Sequence, residues 1–150
     1  MELNNEELKE WKRIAVNILQ RLHTICKENG LKYFAVGGTA IGAVRHGGII
    51  PWDDDIDINI TRKDWNRLLP LLKSRFGDKY DILTPGCDNG YALLFPQIRL
   101  AGTLLRTRDD LQNDHCGVPV DIFLIENTYS NPVRRFIHML GCQYYGFLLR

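Results

Sequence analysis

The chain has 150 residues, of which 45% are hydrophobic and 25% charged, and its formal net charge is +1. These proportions are those of an ordinary globular domain and exclude a disordered chain. A charge so close to zero also removes the broad basic field on which general nucleic-acid binding depends.

Residues 5–29 set Leu8, Trp11, Ile14, Ala15, Ile18, Leu22 and Ile25 at helical spacing along one stripe. Asn4 or Asn5 can cap the start and Gly30 can close the end, so a long first helix is predicted. The apolar run 33–36, ended by two glycines, predicts a short buried strand. Residues 39–46 allow one or two helical turns before Gly47 and Gly48 interrupt them. Over 55–60 the chain alternates, with Asp55, Asp57 and Asn59 on one side and Ile56, Ile58 and Ile60 on the other. That pattern predicts a strand with one wet face. Thr61 with Asp64 resembles a capping box, followed by a helix with Trp65, Leu68, Leu69 and Leu72 inward and Pro70 as a point of kinking. Further strands are predicted at 80–84, 91–100 and 117–125, and a short one at 103–106, with turns at 77–78 and 85–90. Asn131-Pro132 is a cap followed by proline at the first helical position, so a last helix begins there.

This order predicts an α+β (mixed α/β) class, with helices packed on one mixed sheet, in a single domain over 1–150. The last helix reaches Arg150 without a stop signal, so the chain is expected to be the N-terminal part of a longer protein. Cys26, Cys87, Cys116 and Cys142 are widely spaced and form no CxxC pair. They read as reduced thiols in or near the core of a cytoplasmic protein, not as a zinc site. The polar start MELNNEELKEWKR is unlike a signal peptide. The apolar stretch 136–149, broken by His138, Gln143 and two glycines, is too short and mixed to span a membrane, which leaves peripheral contact at the inner face as the alternative.

Chemistry concentrates in one place. Asp53, Asp54, Asp55 and Asp57 fall within five residues, and carboxylates so close repel one another unless a cation neutralises them. Hard oxygen ligands favour Mg2+ or Mn2+. On a strand Asp55 and Asp57 share a face, about 6–7 Å apart, and the isoleucines opposite anchor them. The competing reading is a solvated acidic loop or a weak calcium site, and the strand alternation argues against it. Asp121 interrupts the apolar run 118–125; alone it reads equally as a metal ligand or as a carboxylate paired with an arginine such as Arg99. Beside Asp55 and Asp57 in one sheet it would complete a cradle of three acids. Gly37 and Gly38, with Thr39 after them, end a strand and open a helical segment, where backbone N–H groups favour a phosphate. Two glycines alone mean only a turn; a D-x-D pair beginning sixteen residues after Thr39 makes the combination specific. Arg45 can hold a phosphate oxygen. His46 reads as a base or, more simply, as a structural residue.

Together these residues resemble the nucleotidyltransferase superfamily with a polymerase-beta-like core. More narrowly, GGTAIGAVRHGGIIPWDDDIDI is similar to the signature of the LicD family, which includes bacterial phosphocholine transferases and is related to the fukutin-type ribitol-phosphate transferases. FPQIRLAGT and HCGVPVDIFLIE extend the resemblance to about residues 10–126. Two departures stand out: Phe123-Leu124-Ile125-Glu126 where the family often reads F-P-L-D, and no counterpart of the family's C-terminal half. The resemblance implies Mg2+ bound by Asp55, Asp57 and Asp121 with Asp53 assisting, and nucleotide phosphates held by Gly37, Gly38 and Thr39. It also implies transfer of a phospho-alcohol from CDP-choline or another CDP-alcohol to a hydroxyl of a surface glycan such as lipopolysaccharide or teichoic acid. Arg45 and Arg99 are candidates for phosphate contacts. The alternatives are nucleotidyl transfer (NMP left on a hydroxyl acceptor), a catalytically incomplete nucleotide-binding module, or a calcium-stabilised structural domain.

Overall fold

The computed structural model describes residues 4–86, 91, 93–105 and 116–148. Its elements are α1 (Asn5–Glu28), β1 (Tyr33–Ala35), α2 (Gly37–Arg45), β2 (Asp57–Thr61), α3 (Arg62–Phe76), a 3-10 turn (Gly77–Lys79), β3 (Tyr80–Leu83), β4 (Gln97–Leu100), β5 (Pro119–Ile125) and α4 (Pro132–Leu148). The five strands form one mixed sheet in the order β1-β2-β5-β4-β3. β2 and β5 run parallel at its centre, and the other neighbours are antiparallel. The α+β class read from the sequence is the one found.

Caps set the helix boundaries. Asn4 accepts from the backbone N–H of Glu6 and Glu7, and the Glu7 carboxylate accepts from Asn4 N–H, a complete capping box at α1. Gly30, at φ +62°, leaves α1 in the left-handed region. Thr61 Oγ1 accepts from Asp64 N–H at 3.1 Å and starts α3, which runs through Pro70 on its exposed side. Asn131 accepts from Val133 and Arg134 N–H and caps α4.

One face of the sheet carries the core. Trp11, Ile14, Ile18 and Leu22 of α1 and Trp65, Leu68 and Leu72 of α3 bury against Ile58 and Ile60 of β2, Ile98 of β4, and Val120 and Ile122 of β5. Each such side chain contributes about 1.5–3 kcal/mol by leaving water. Because side chains alternate along a strand, this packing forces Asp57, Asp121, Gln97 and Arg99 to the opposite face.

Several predicted elements differ. β1 is an edge strand with Phe34 54% exposed, not a buried one. Gly37 and Gly38 form the first turn of α2, so that helix is longer than expected. The strand predicted over 91–100 begins at Gln97. Upstream of it the Tyr91 hydroxyl donates to Phe95 C=O at 2.6 Å and bends the chain, and Pro96 has no N–H for a ladder. Residues 103–105 form no strand, because Leu105 N–H and Thr103 Oγ1 make loop bonds to Cys116 C=O and Leu100 C=O. Residue 106, the loop 87–90 and Cys87 lie outside the described residues. Cys26 and Cys116 are buried, and Cys142 is exposed. No helix among the described residues is long and apolar enough to cross a membrane. Val133, Phe136, Ile137, Leu140, Tyr144 and Phe147 of α4 are all exposed.

Candidate active site

The acidic cluster forms where β2 meets β5. The parallel register makes Asp57 and Asp121 direct Cα partners, on strands about 4.8 Å apart. Asp121 N–H donates to Ile56 C=O at 2.9 Å, which locks the two strands at the level of the acids. The strand predicted over 55–60 begins at Asp57, so Asp55 lies two residues before β2, in the segment that leads into it.

The start of α2 is fastened to the same point. Asp57 N–H donates to Thr39 Oγ1 at 2.8 Å, and Val36 N–H donates to Asp57 C=O at 3.2 Å. The Thr39 hydroxyl thus accepts from β2 and keeps its own proton to donate. The cap residue of α2, Val36, offers no side-chain acceptor to the first turn, so the N–H groups there point out without an internal partner. Gly37 sits at φ +54° to begin this helix.

The loop between α2 and β2 brings Asp53 back to the helix start. Gly42 admits the loop backbone, because a Cβ there would stand 2.5 Å from Gly48 O. Lys12 of α1 donates to Ile50 C=O at 2.9 Å and Pro51 C=O at 2.6 Å, and Asp53 N–H closes a turn onto Ile50 C=O at 3.0 Å. The Asp53 carboxylate then fills the space a Gly38 side chain would take: a Cβ on Gly38 would lie 2.5 Å from Asp53 Oδ2. That oxygen is buried with no hydrogen-bond partner.

Crowding shows in the acidities. Burial, then the charges of Asp57, Asp53 and Asp54, push the Asp55 carboxyl up to about 6. Burial and the Asp53 charge raise Asp57 above the ordinary carboxylate range. Burial pushes Asp121 up to about 6 as well, with the charges of Asp57 and Asp55 adding to it, while a hydrogen bond from Gln97 and the charge of Arg99 pull it down.

Among the described residues no group of three His, Cys, Asp or Glu side chains stands ready to enclose an ion. The paired strands set Asp57 and Asp121 side by side. The donor set nonetheless fits a hard divalent cation. It is all oxygen, one of its atoms is a buried orphan, and burial together with neighbouring negative charge disfavours the ionised forms of Asp55, Asp57 and Asp121, which a cation would relieve.

The remaining candidates fall elsewhere. Arg45 is exposed in the last turn of α2. His46 packs edge-on against Trp52, with ring centroids 6.1 Å apart, as a structural residue would. Arg99 is only 1% exposed and gives Nε and Nη2 to Gln97 Oε1, so it neither pairs directly with Asp121 nor reaches outward to a phosphate. Gln97 and Lys12 escape sequence reading. A glutamine in an apolar strand and a lysine on a polar helix face carry no spacing signal, and only the fold shows what they touch.

The sheet, the uncapped helix start and the acids on paired parallel strands define a nucleotidyltransferase-type domain. The LicD/FKTN/FKRP nucleotidyltransferase-domain family matches residues 30–97, from just after α1 to the start of β4, and this segment is similar to LicD-family proteins. It is 38% identical over 77 residues to the lipopolysaccharide cholinephosphotransferase LicD of Haemophilus influenzae, a match that covers 51% of this chain and 29% of that protein. It is 40% identical over 74 residues to the human ribitol 5-phosphate transferase FKRP, covering 49% of this chain and 14% of that protein. The chain therefore spans less than a third of the length of either relative.

Proposed function

We propose that the chain serves a phospho-alcohol transferase that takes its donor as a CDP-alcohol, CDP-choline first among them, and an acceptor hydroxyl on a surface glycan. The observation that carries this reading is the in-register pair Asp57 and Asp121 beside the uncapped start of α2. The two named relatives support it, since one transfers phosphocholine and the other ribitol phosphate.

Asp53, Asp55, Asp57 and Asp121 would hold Mg2+ or Mn2+, which when bound offsets the negative charge of the donor's phosphates. The chain's own groups do the rest. The free N–H groups of Gly37, Gly38 and Thr39 and the Thr39 hydroxyl bind phosphate oxygens at the positive end of α2. Asp121, held by β5 beside Asp57, takes the proton of the acceptor hydroxyl. The acceptor oxygen attacks the phosphorus bearing the alcohol, the bond to CMP breaks, and CMP leaves with the electron pair.

Incubation of the full chain with CDP-choline, Mg2+ and a glycan acceptor tests this, with products separated by mass. Free CMP and a phosphocholine-bearing acceptor are expected. CMP left attached to the acceptor would make the protein a nucleotidyltransferase instead, and no transfer from any CDP-alcohol would overturn the reading.

A further inference from the structure

We propose that Gln97 and Arg99 are positioning residues for Asp121: Arg99 locks the Gln97 amide so that its NH2 end always faces the Asp121 carboxylate. The proposal rests on the reading of Asp121 as part of a cation-binding site.

The register of β4 on β5 sets Gln97 opposite Asp121, and Gln97 Nε2 donates to Asp121 Oδ1 at 2.7 Å. A primary amide has two ends of nearly the same shape, one donating and one accepting. Turned the wrong way, its oxygen would oppose the carboxylate. Two residues along, on the same face of β4, Arg99 settles the choice. Its Nε and Nη2 both donate to Gln97 Oε1, at 2.8 and 2.6 Å. A guanidinium keeps its protons at any working pH and accepts nothing, so it can be met only by the amide oxygen. The NH2 group is thereby committed to Asp121, and Asp121 Oδ1 is anchored.

Burial shows that this arrangement is not incidental. Gln97, 4% exposed, and Arg99, 1% exposed, are the buried residues classed as polar or charged among those described. A buried cation costs several kcal/mol to desolvate, and well-packed apolar residues in its place are often neutral or stabilising. Strand pairing alone does not call for one. Anchoring a carboxylate gives such a cation a use, because partners that orient a ligand side chain typically set tenfold to a hundredfold of metal affinity.

The test is Mn2+ binding to the full chain, followed by titration calorimetry, with melting temperature recorded for every variant. Plain electrostatics makes a prediction of opposite sign to the clamp. Arg99→Met removes a positive charge near the site and should tighten Mn2+ binding if charge alone matters. Loss of the lock should instead weaken it by about tenfold or more. Gln97→Met should weaken it likewise. The double variant Gln97→Met/Arg99→Met, which replaces the whole polar pair with apolar volume and so guards against misfolding, should match Gln97→Met alone. Arg99→Lys, which keeps one charged donor, should fall between wild type and Arg99→Met. Unchanged or tighter Mn2+ binding in Arg99→Met or in the double variant would overturn the clamp. Asp57→Ala separates the two ideas: if it binds Mn2+ as well as wild type does, the cation site itself falls, and the clamp with it.

Discussion

Asp55 stands on the approach to β2 and Asp121 in the middle of β5, and both carboxyls are pushed up to about 6. They arrive there differently. Asp55 is exposed by residue area, and the charges of three neighbouring aspartates add to its partial desolvation with no side-chain donor to relieve them. Asp121 is set deeper and is partly rescued by Gln97 and Arg99. One side of the site is therefore a loop held by Lys12, Thr39 and Gly38, and the other is a strand held by the ladder and a buried amide. The difference teaches that a cluster of like charges can be built from a soft half and a rigid half, with the rigid half setting the position.

The largest effect expected is on chemistry. Asp57→Ala or Asp121→Asn should lower metal-dependent transfer by about a thousandfold or more, since several kcal/mol of charge stabilisation are lost. Metal-free Asp121→Asn should at the same time melt higher than wild type at pH 7, because the substitution removes a carboxylate whose ionised form the fold disfavours. A lower melting temperature would show that the Asp121 carboxylate stabilises the fold.

Next comes Gly38→Ala, aimed at the soft half. Its Cβ would meet Asp53 Oδ2 at 2.5 Å, and the flexible carboxylate must move away. Mn2+ affinity should drop by about tenfold while the melting temperature stays within a few degrees. A large loss of stability would show that this contact serves the fold.

The pH dependence is smaller and has a definite sign. Carboxyls raised to about 6 in the folded chain, from 3.8, favour folding fully below pH 3.8, and that contribution is lost as pH rises through 6. Melting of the metal-free chain should show this decline between about pH 4 and 7, and Mg2+ should reverse it at the upper end. A flat profile would mean that neither burial nor neighbouring charge holds these carboxyls up. The smallest effect should come from Thr61→Ala, which removes the cap of α3 and costs about 1 kcal/mol of stability without touching Mn2+ binding.

Much of this was legible in the sequence because it depends on local period. The stripe from Leu8 to Ile25, the alternation of Asp55 and Asp57 with isoleucines, and the caps at Asn4, Thr61 and Asn131 are written within a few residues. The convergence of Asp121 with Asp57 needed two segments to be read together, and their apolar flanks carried it. Neighbours supplied the rest. β1 lies at the sheet's edge because nothing pairs beyond it. β4 starts late because Tyr91 hooks Phe95. Arg99 turned inward because Gln97, two residues away on the same face, offered an oxygen. The exposed apolar stripe of α4 has the same lesson: its helical period was plain, but what a helix packs against is not a property of its own sequence.

The proposed cation site joins acids carried by or leading into two parallel strands, and titration of Mn2+ into wild type, Asp55→Ala and Asp121→Asn tests it directly. Wild type should show a single strong site, weakened at least tenfold by either substitution although Asp55 lies before β2 and Asp121 within β5. Wild-type affinity in Asp121→Asn, with loss in Asp55→Ala alone, would contradict it and leave only an acidic loop.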